Sequence, residues 1–132
     1  MIIAIAVTAY LIAGILYFGQ KKIGYNHLKH TISELGESGT AREKQVGFGL
    51  FLPAGMGLLF IAVTNQHHEI IRGLSACLAV GYIVAAFFPC DPGSPVSGTW
   101  KQQLHNFGGF IEYAGGIYFL MKATEQDMLF FL

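Results

Sequence analysis

Four stretches of this chain, residues 2–19, 47–64, 70–88 and 104–121, are each apolar over close to the length an α-helix needs to cross a ~30 Å hydrocarbon core, roughly 17 to 20 residues. Lipid cannot hydrogen-bond a backbone, so such stretches must satisfy their own N–H and C=O groups, and separate spans of this length do so as helices. With 132 residues the chain is read as a single transmembrane domain over 1–132, all-α, a polytopic bundle of about four antiparallel spans. Composition points the same way: 53% of residues are hydrophobic and 12% charged, where a soluble domain carries about a quarter charged. The excess apolar surface is expected to face a lipid bilayer. Net charge is zero, and eight Lys and Arg are scattered among eight acids, so no basic face exists to follow a phosphate backbone and nucleic acid is excluded as a partner.

The first stretch lacks a basic region ahead of it, since Lys21 and Lys22 follow the apolar run; it is read as a retained helix and not as a signal peptide. Residues 65–69 form a tight turn that makes the second and third spans antiparallel neighbours. The other two connections are long and polar. They carry three helix-start spacings, Thr31 with Glu34, Thr40 with Glu43 and Thr99 with Gln102, and the first predicts a short interfacial helix near 31–36. Residues 128–132 are apolar again and read as an interfacial tail or the opening of a fifth helix. Lys21, Lys22, Lys29, Arg42, Lys44 and Lys101 lie in the long loops, against Arg72 and Lys122 opposite, which orients both long loops toward the cytoplasm. Cys77 and Cys90, thirteen residues apart along one segment, would stand about 20 Å apart on a helix and are not a disulfide pair.

Helices associate in lipid by close backbone approach, so small residues mark faces that pack. Gly73, Cys77, Gly81 and Ala85 recur every four residues down the third span, and Gly108, Gly109, Gly115 and Gly116 mark the fourth. Pro53 removes a backbone hydrogen bond and is expected to kink the second span.

Two spans separate the long loops, so both emerge on one membrane face. The first brings His27, His30, Ser33, Glu34 and Glu37; the other brings Cys90, Asp91, Ser94, Ser97, Thr99 and His105. His30, Ser33, Glu34, Asp91 and His105 are the candidate catalytic set, and His30, Glu34, Asp91 and His105 the candidate ligands of a divalent metal. Haem is not expected, because His67 and His68 lie in the short turn and His105 stands alone on its helix. Glu112 sits two turns beyond His105 on the same face, and a carboxyl at that depth is costly unless it faces the bundle, with Tyr10, Ser75 or Tyr82 as candidate partners.

Three motifs surround the spans: His30-Thr-Ile-Ser33-Glu34-Leu-Gly36 after the first, Phe87-Phe-Pro89-Cys90-Asp91-Pro92-Gly93 at the end of the third, and Gly98-Thr-Trp-Lys-Gln-Gln-Leu-His105-Asn-Phe-Gly108 opening the fourth. In their order the chain resembles the bacterial membrane family catalogued as domain of unknown function 998. The resemblance implies a multi-pass protein of the cell membrane, the bacterial inner membrane, and a longer relative with about six spans. It carries no activity, but it puts His30, Ser33, Glu34, Asp91 and His105 on motif positions. Two functional readings follow. The favoured one is a non-catalytic accessory component, docking through its glycine-lined faces on other membrane subunits or on copies of itself. The alternative is a metal-assisted hydrolase or lipid-modifying enzyme working at the loop face.

Overall fold

The computed structural model describes the backbone of residues 2–130 and the side chains of residues 2–125. Four helices account for the fold, α1 (Ile2–Lys21), α2 (Glu43–Thr64), α3 (Glu69–Phe87) and α4 (Trp100–Phe130), and no strand occurs among the described residues. Consecutive helices are neighbours, with α3 packed between α2 and α4 and α1 laid against α2. The chain is an all-α helix bundle.

Three of the helices, α1, α2 and α3, are long and apolar enough to cross a membrane. The fourth expected span lies within α4, which has 31 residues, ample in length; His105, Asn106 and Glu112 make its course less apolar than the other three. Residues 128–130 continue α4 and do not open a fifth helix; the rest of that expectation, residues 131–132, lies outside the described residues.

The three cap spacings resolve differently. Glu34 reaches back to Thr31, accepting from its N–H at 2.9 Å and its hydroxyl at 3.2 Å, and the turn it closes is a 3-10 helix over Ser33–Gly36. Glu43 instead accepts from the N–H of Gly39 at 2.8 Å, one residue earlier than expected. At α4 the Thr99 hydroxyl accepts from Gln102 N–H at 3.3 Å, but the Gln102 side chain turns away to other partners.

Pro53 acts through the turn before it. Without an N–H it cannot bond the carbonyl of Gly49, and its ring crowds that carbonyl. The backbone relaxes into a π-helical turn over Gly47–Phe51, and the freed Gly49 carbonyl accepts a hydrogen bond from the Tyr10 hydroxyl on α1. One proline therefore both distorts α2 and supplies an anchor for α1.

Buried apolar packing concentrates at the loop end, where Leu35 of the 3-10 turn inserts among Val46, Leu50, Phe51 and Ala86, with Leu11, Ile15 and Phe18 of α1 alongside. Leu35 comes from a polar loop that would otherwise face water, so its burial contributes about 2 kcal/mol to holding that loop down. Gly36 next to it is small by necessity, since a Cβ there would lie 2.9 Å from Val46 Cγ1.

Between α3 and α4 the backbones approach closely. A side chain at Gly73 would collide with the Phe119 ring, one at Gly81 with Glu112, one at Gly115 with Cys77, and one at Gly108 would stand 2.6 Å from Val84. Gly116 is looser, its nearest neighbour Leu74 Cδ1 at 4.0 Å, and Ala85 packs on the loop-end core. Gly109 is a correction. A Cβ there would meet nothing within 4 Å, because this glycine borders a cavity and not a helix.

Candidate functional site

The loop end is sewn together by polar contacts between segments far apart in sequence. Ser38 N–H donates to the Cys90 carbonyl at 2.8 Å, and Glu37 accepts from the N–H of Gly93 at 3.0 Å. That N–H faces Glu37 from a turn in which Gly93 holds φ +77°. Lys22 at the end of α1 pairs with Glu37 at 2.8 Å and donates to the Glu34 carbonyl. Partial burial pushes the Glu37 carboxyl up, but the bonds from Lys22 and Gly93 and the nearby lysine charge outweigh it and hold the group below its ordinary value.

Gln102 is the hub of the second loop. It is 0% exposed; its carbonyl accepts from Asp91 N–H at 2.6 Å, and its amide donates to Pro95 O at 2.8 Å and Asn106 Oδ1 at 2.7 Å. Asn106 in turn donates to Val96 O at 2.9 Å. Both Asp91 oxygens are occupied by Thr99, through its N–H at 2.7 Å and its hydroxyl at 2.9 Å, so Asp91 caps α4 from outside the helix. Among the described residues every fully buried side-chain nitrogen and oxygen has a partner.

Inside this frame His105 and Ser33 meet. His105 Nδ1 lies 2.9 Å from the carbonyl of Phe88, and Nε2 lies 3.0 Å from Ser33 Oγ. A carbonyl only accepts, so Nδ1 carries the proton of the neutral ring; Nε2 is then a lone pair, and the Ser33 hydroxyl donates to it. Both are placed by elements already described: the 3-10 turn fixed by Leu35 carries Ser33, and the first turns of α4, locked by Gln102, carry His105.

The other candidates do not join them as metal ligands. The Glu34 carboxylate is bonded to Thr31, Asp91 to Thr99, and His30 Nδ1 to Asn26 N–H at 3.0 Å, with the His30 ring stacked on Tyr25. Among the described residues no three His, Cys, Asp or Glu side chains are arranged to hold one metal ion, which corrects the grouping of His30, Glu34, Asp91 and His105. The physical reason is competition: each carboxylate closes a local turn or cap of its own. Cys90 offers no alternative nucleophile, because it is fully buried and burial pushes its thiol up to about 11.

Ser33 and His105 open onto a cavity of about 410 Å³ between the 3-10 segment, α3 and α4, and Glu112 lines the same cavity deeper along α4. Tyr10, expected as a possible partner of Glu112, bonds Gly49 instead. Sequence reasoning missed Gln102 as a buried hub and Lys22 as the tie between α1 and the loop; the Gln102–Asn106 spacing of four residues, which puts two amides on one helix face, was the available signal.

No curated protein and no solved structure matches the chain. The family described as protein of unknown function (DUF998) matches residues 3–128. The match takes in all four helices and the Ser33 and His105 positions, and the chain belongs to that family.

Proposed function

We propose that this membrane protein is a serine hydrolase or acyltransferase that cleaves an acyl ester at one membrane face. Ser33 is the nucleophile and His105 the general base. The observation that carries the reading is the paired contact at His105, with Phe88 O fixing the ring tautomer at 2.9 Å and Ser33 Oγ at 3.0 Å from the free nitrogen. Nucleophile, base and orienting group in hydrogen-bond series is the arrangement that activates a hydroxyl. In the first step Ser33 Oγ forms a bond to the acyl carbon, its proton passes to Nε2, and the leaving alcohol departs with that proton. A water or second alcohol then attacks the acyl-serine, giving its proton to Nε2, and Ser33 leaves with it. Phe88 O in place of a carboxylate stabilises the imidazolium less than an aspartate would, so a modest turnover is expected.

The basic residues of both long loops favour a cytoplasmic position for this face. The test uses the purified full chain and p-nitrophenyl esters of increasing acyl length. Ester hydrolysis should fall by at least about a hundredfold in Ser33→Ala and His105→Ala, the range for losing a positioned base; wild-type hydrolysis no faster than either variant defeats the reading.

A second reading, the non-catalytic component that docks on other membrane subunits or on itself, is favoured by α1, of which 6% of the span is buried. Cross-linking from cysteines placed along its exposed face, at Ile5 and Ile12, would capture a protein neighbour in native membranes if that reading holds.

A further inference from the structure

Glu112 is not accounted for by the ester chemistry. It lies seven residues beyond His105, a rise of roughly 10 Å with almost no change of helical face, so both groups look into one cavity from its two ends. The carboxyl rests against Gly81 of α3, where the absence of a side chain leaves room for it. No hydrogen-bond donor or basic side chain of the protein acts on it among the described residues; its electrostatic neighbours are the phenols of Tyr82 and Tyr113. Its two aromatic companions in the lining are Phe110 and Tyr113. The lining contains no Lys or Arg, and the one ring that could be cationic, His105, is committed at both nitrogens.

A half-buried carboxyl without a protein counter-charge, sharing its cavity with two aromatic side chains, is the chemistry that takes an organic cation. An inorganic cation would require several oxygen ligands together, and this group stands alone. We infer that the cavity binds an organic ammonium compound, with the charge held at Glu112 and the Phe110 and Tyr113 rings and the remainder reaching toward Ser33. This deepens the ester-cleaving reading and rests on it for the substrate's second half: the acyl carbonyl lies roughly 10 Å from the ammonium. The ammonium site itself stands on Glu112 and its surroundings.

The test measures binding, in a neutral maltoside detergent, of phenyltrimethylammonium and of its uncharged carbon isostere tert-butylbenzene to the full chain. The wild type should prefer the ammonium by about tenfold or more, the scale of one favourable charge contact. Glu112→Gln keeps the size of the side chain and removes its charge, and should bring that ratio to about one with its melting curve unchanged. Gly109→Leu fills the cavity from a position where an added Cβ meets no protein atom, and it should abolish binding of both probes while the protein stays folded. No binding of the ammonium to wild type, an equal affinity for both probes, or a preference that survives Glu112→Gln each overturns the inference. Failure of Ser33-dependent ester hydrolysis with the ammonium preference intact would instead remove the enzyme reading and leave the cation site standing.

Discussion

The two ends of this bundle are built by opposite rules. At the turn end, helices α2 and α3 are joined by a few polar residues, and α3 and α4 are linked by an ion pair of Lys122 with Glu69 at 2.6 Å in which the Glu69 side chain is open to solvent. At the loop end, Gln102, Glu34, His105 and Cys90 are buried, and the bond between Ser33 and His105 lies among them. Solvent competes for the first kind of contact and is excluded from the second. The lesson is that burial of polar groups is spent where side chains must be held still, and that end carries Ser33 and His105.

The contrast can be broken by mutation. The largest effect is expected at Gln102: Gln102→Leu removes the acceptor of the Asp91 N–H and the donor to Asn106 Oδ1, leaves the Pro95 carbonyl with Asn106 alone, and should destabilise the protein by about 3 kcal/mol, read from thermal or denaturant unfolding in detergent. If Gln102→Leu unfolds like the wild type, the hub is not holding the loop end.

Glycines along α4 and α3 give the next contrast. Gly73→Ala drives a methyl into the Phe119 ring and should cost about 1–3 kcal/mol, whereas Gly109→Ala meets open space and should be neutral or slightly stabilising through better helix propensity. Equal effects at the two positions would contradict the difference in packing between them.

The Lys22–Glu37 pair gives a smaller effect with a defined sign. The folded carboxyl sits below its ordinary value, so its contribution is present above the unfolded value of about 4.3 and is lost as the pH falls through the folded one. Glu37→Gln should therefore flatten the loss of stability between about pH 5 and pH 3. An unchanged acid limb in the variant removes the pair from the account. The smallest effect belongs to Lys122→Ala, which should leave the melting temperature unchanged within error because its partner is solvated.

Much of the fold was legible from the spans. Apolar length set the helices, and the loops' emergence on one face followed from counting the spans between them. The fourth stretch coincides with a helix too, but length and flanking glycines give no measure of what His105, Asn106 and Glu112 cost on it. The site was legible as a neighbourhood but not as a set of partners. Ser33 and His105 were named from their residue types, yet nothing in the sequence places the Phe88 carbonyl beside Nδ1, since backbone carbonyls carry no sequence signature. Glu34 and Asp91 were grouped as ligands for the same reason in reverse: their claims on Thr31 and Thr99 depend on loop geometry, which spacing fixes only for the first.

We read Ser33 as an activated nucleophile with His105 as its base. Treatment of the purified full chain with a fluorophosphonate, followed by intact-mass and peptide mapping, measures that most directly. A single phosphonyl adduct on Ser33 is expected, lost in Ser33→Ala and strongly slowed in His105→Ala. No adduct on the wild type, or an adduct that forms at the same rate without His105, would contradict it.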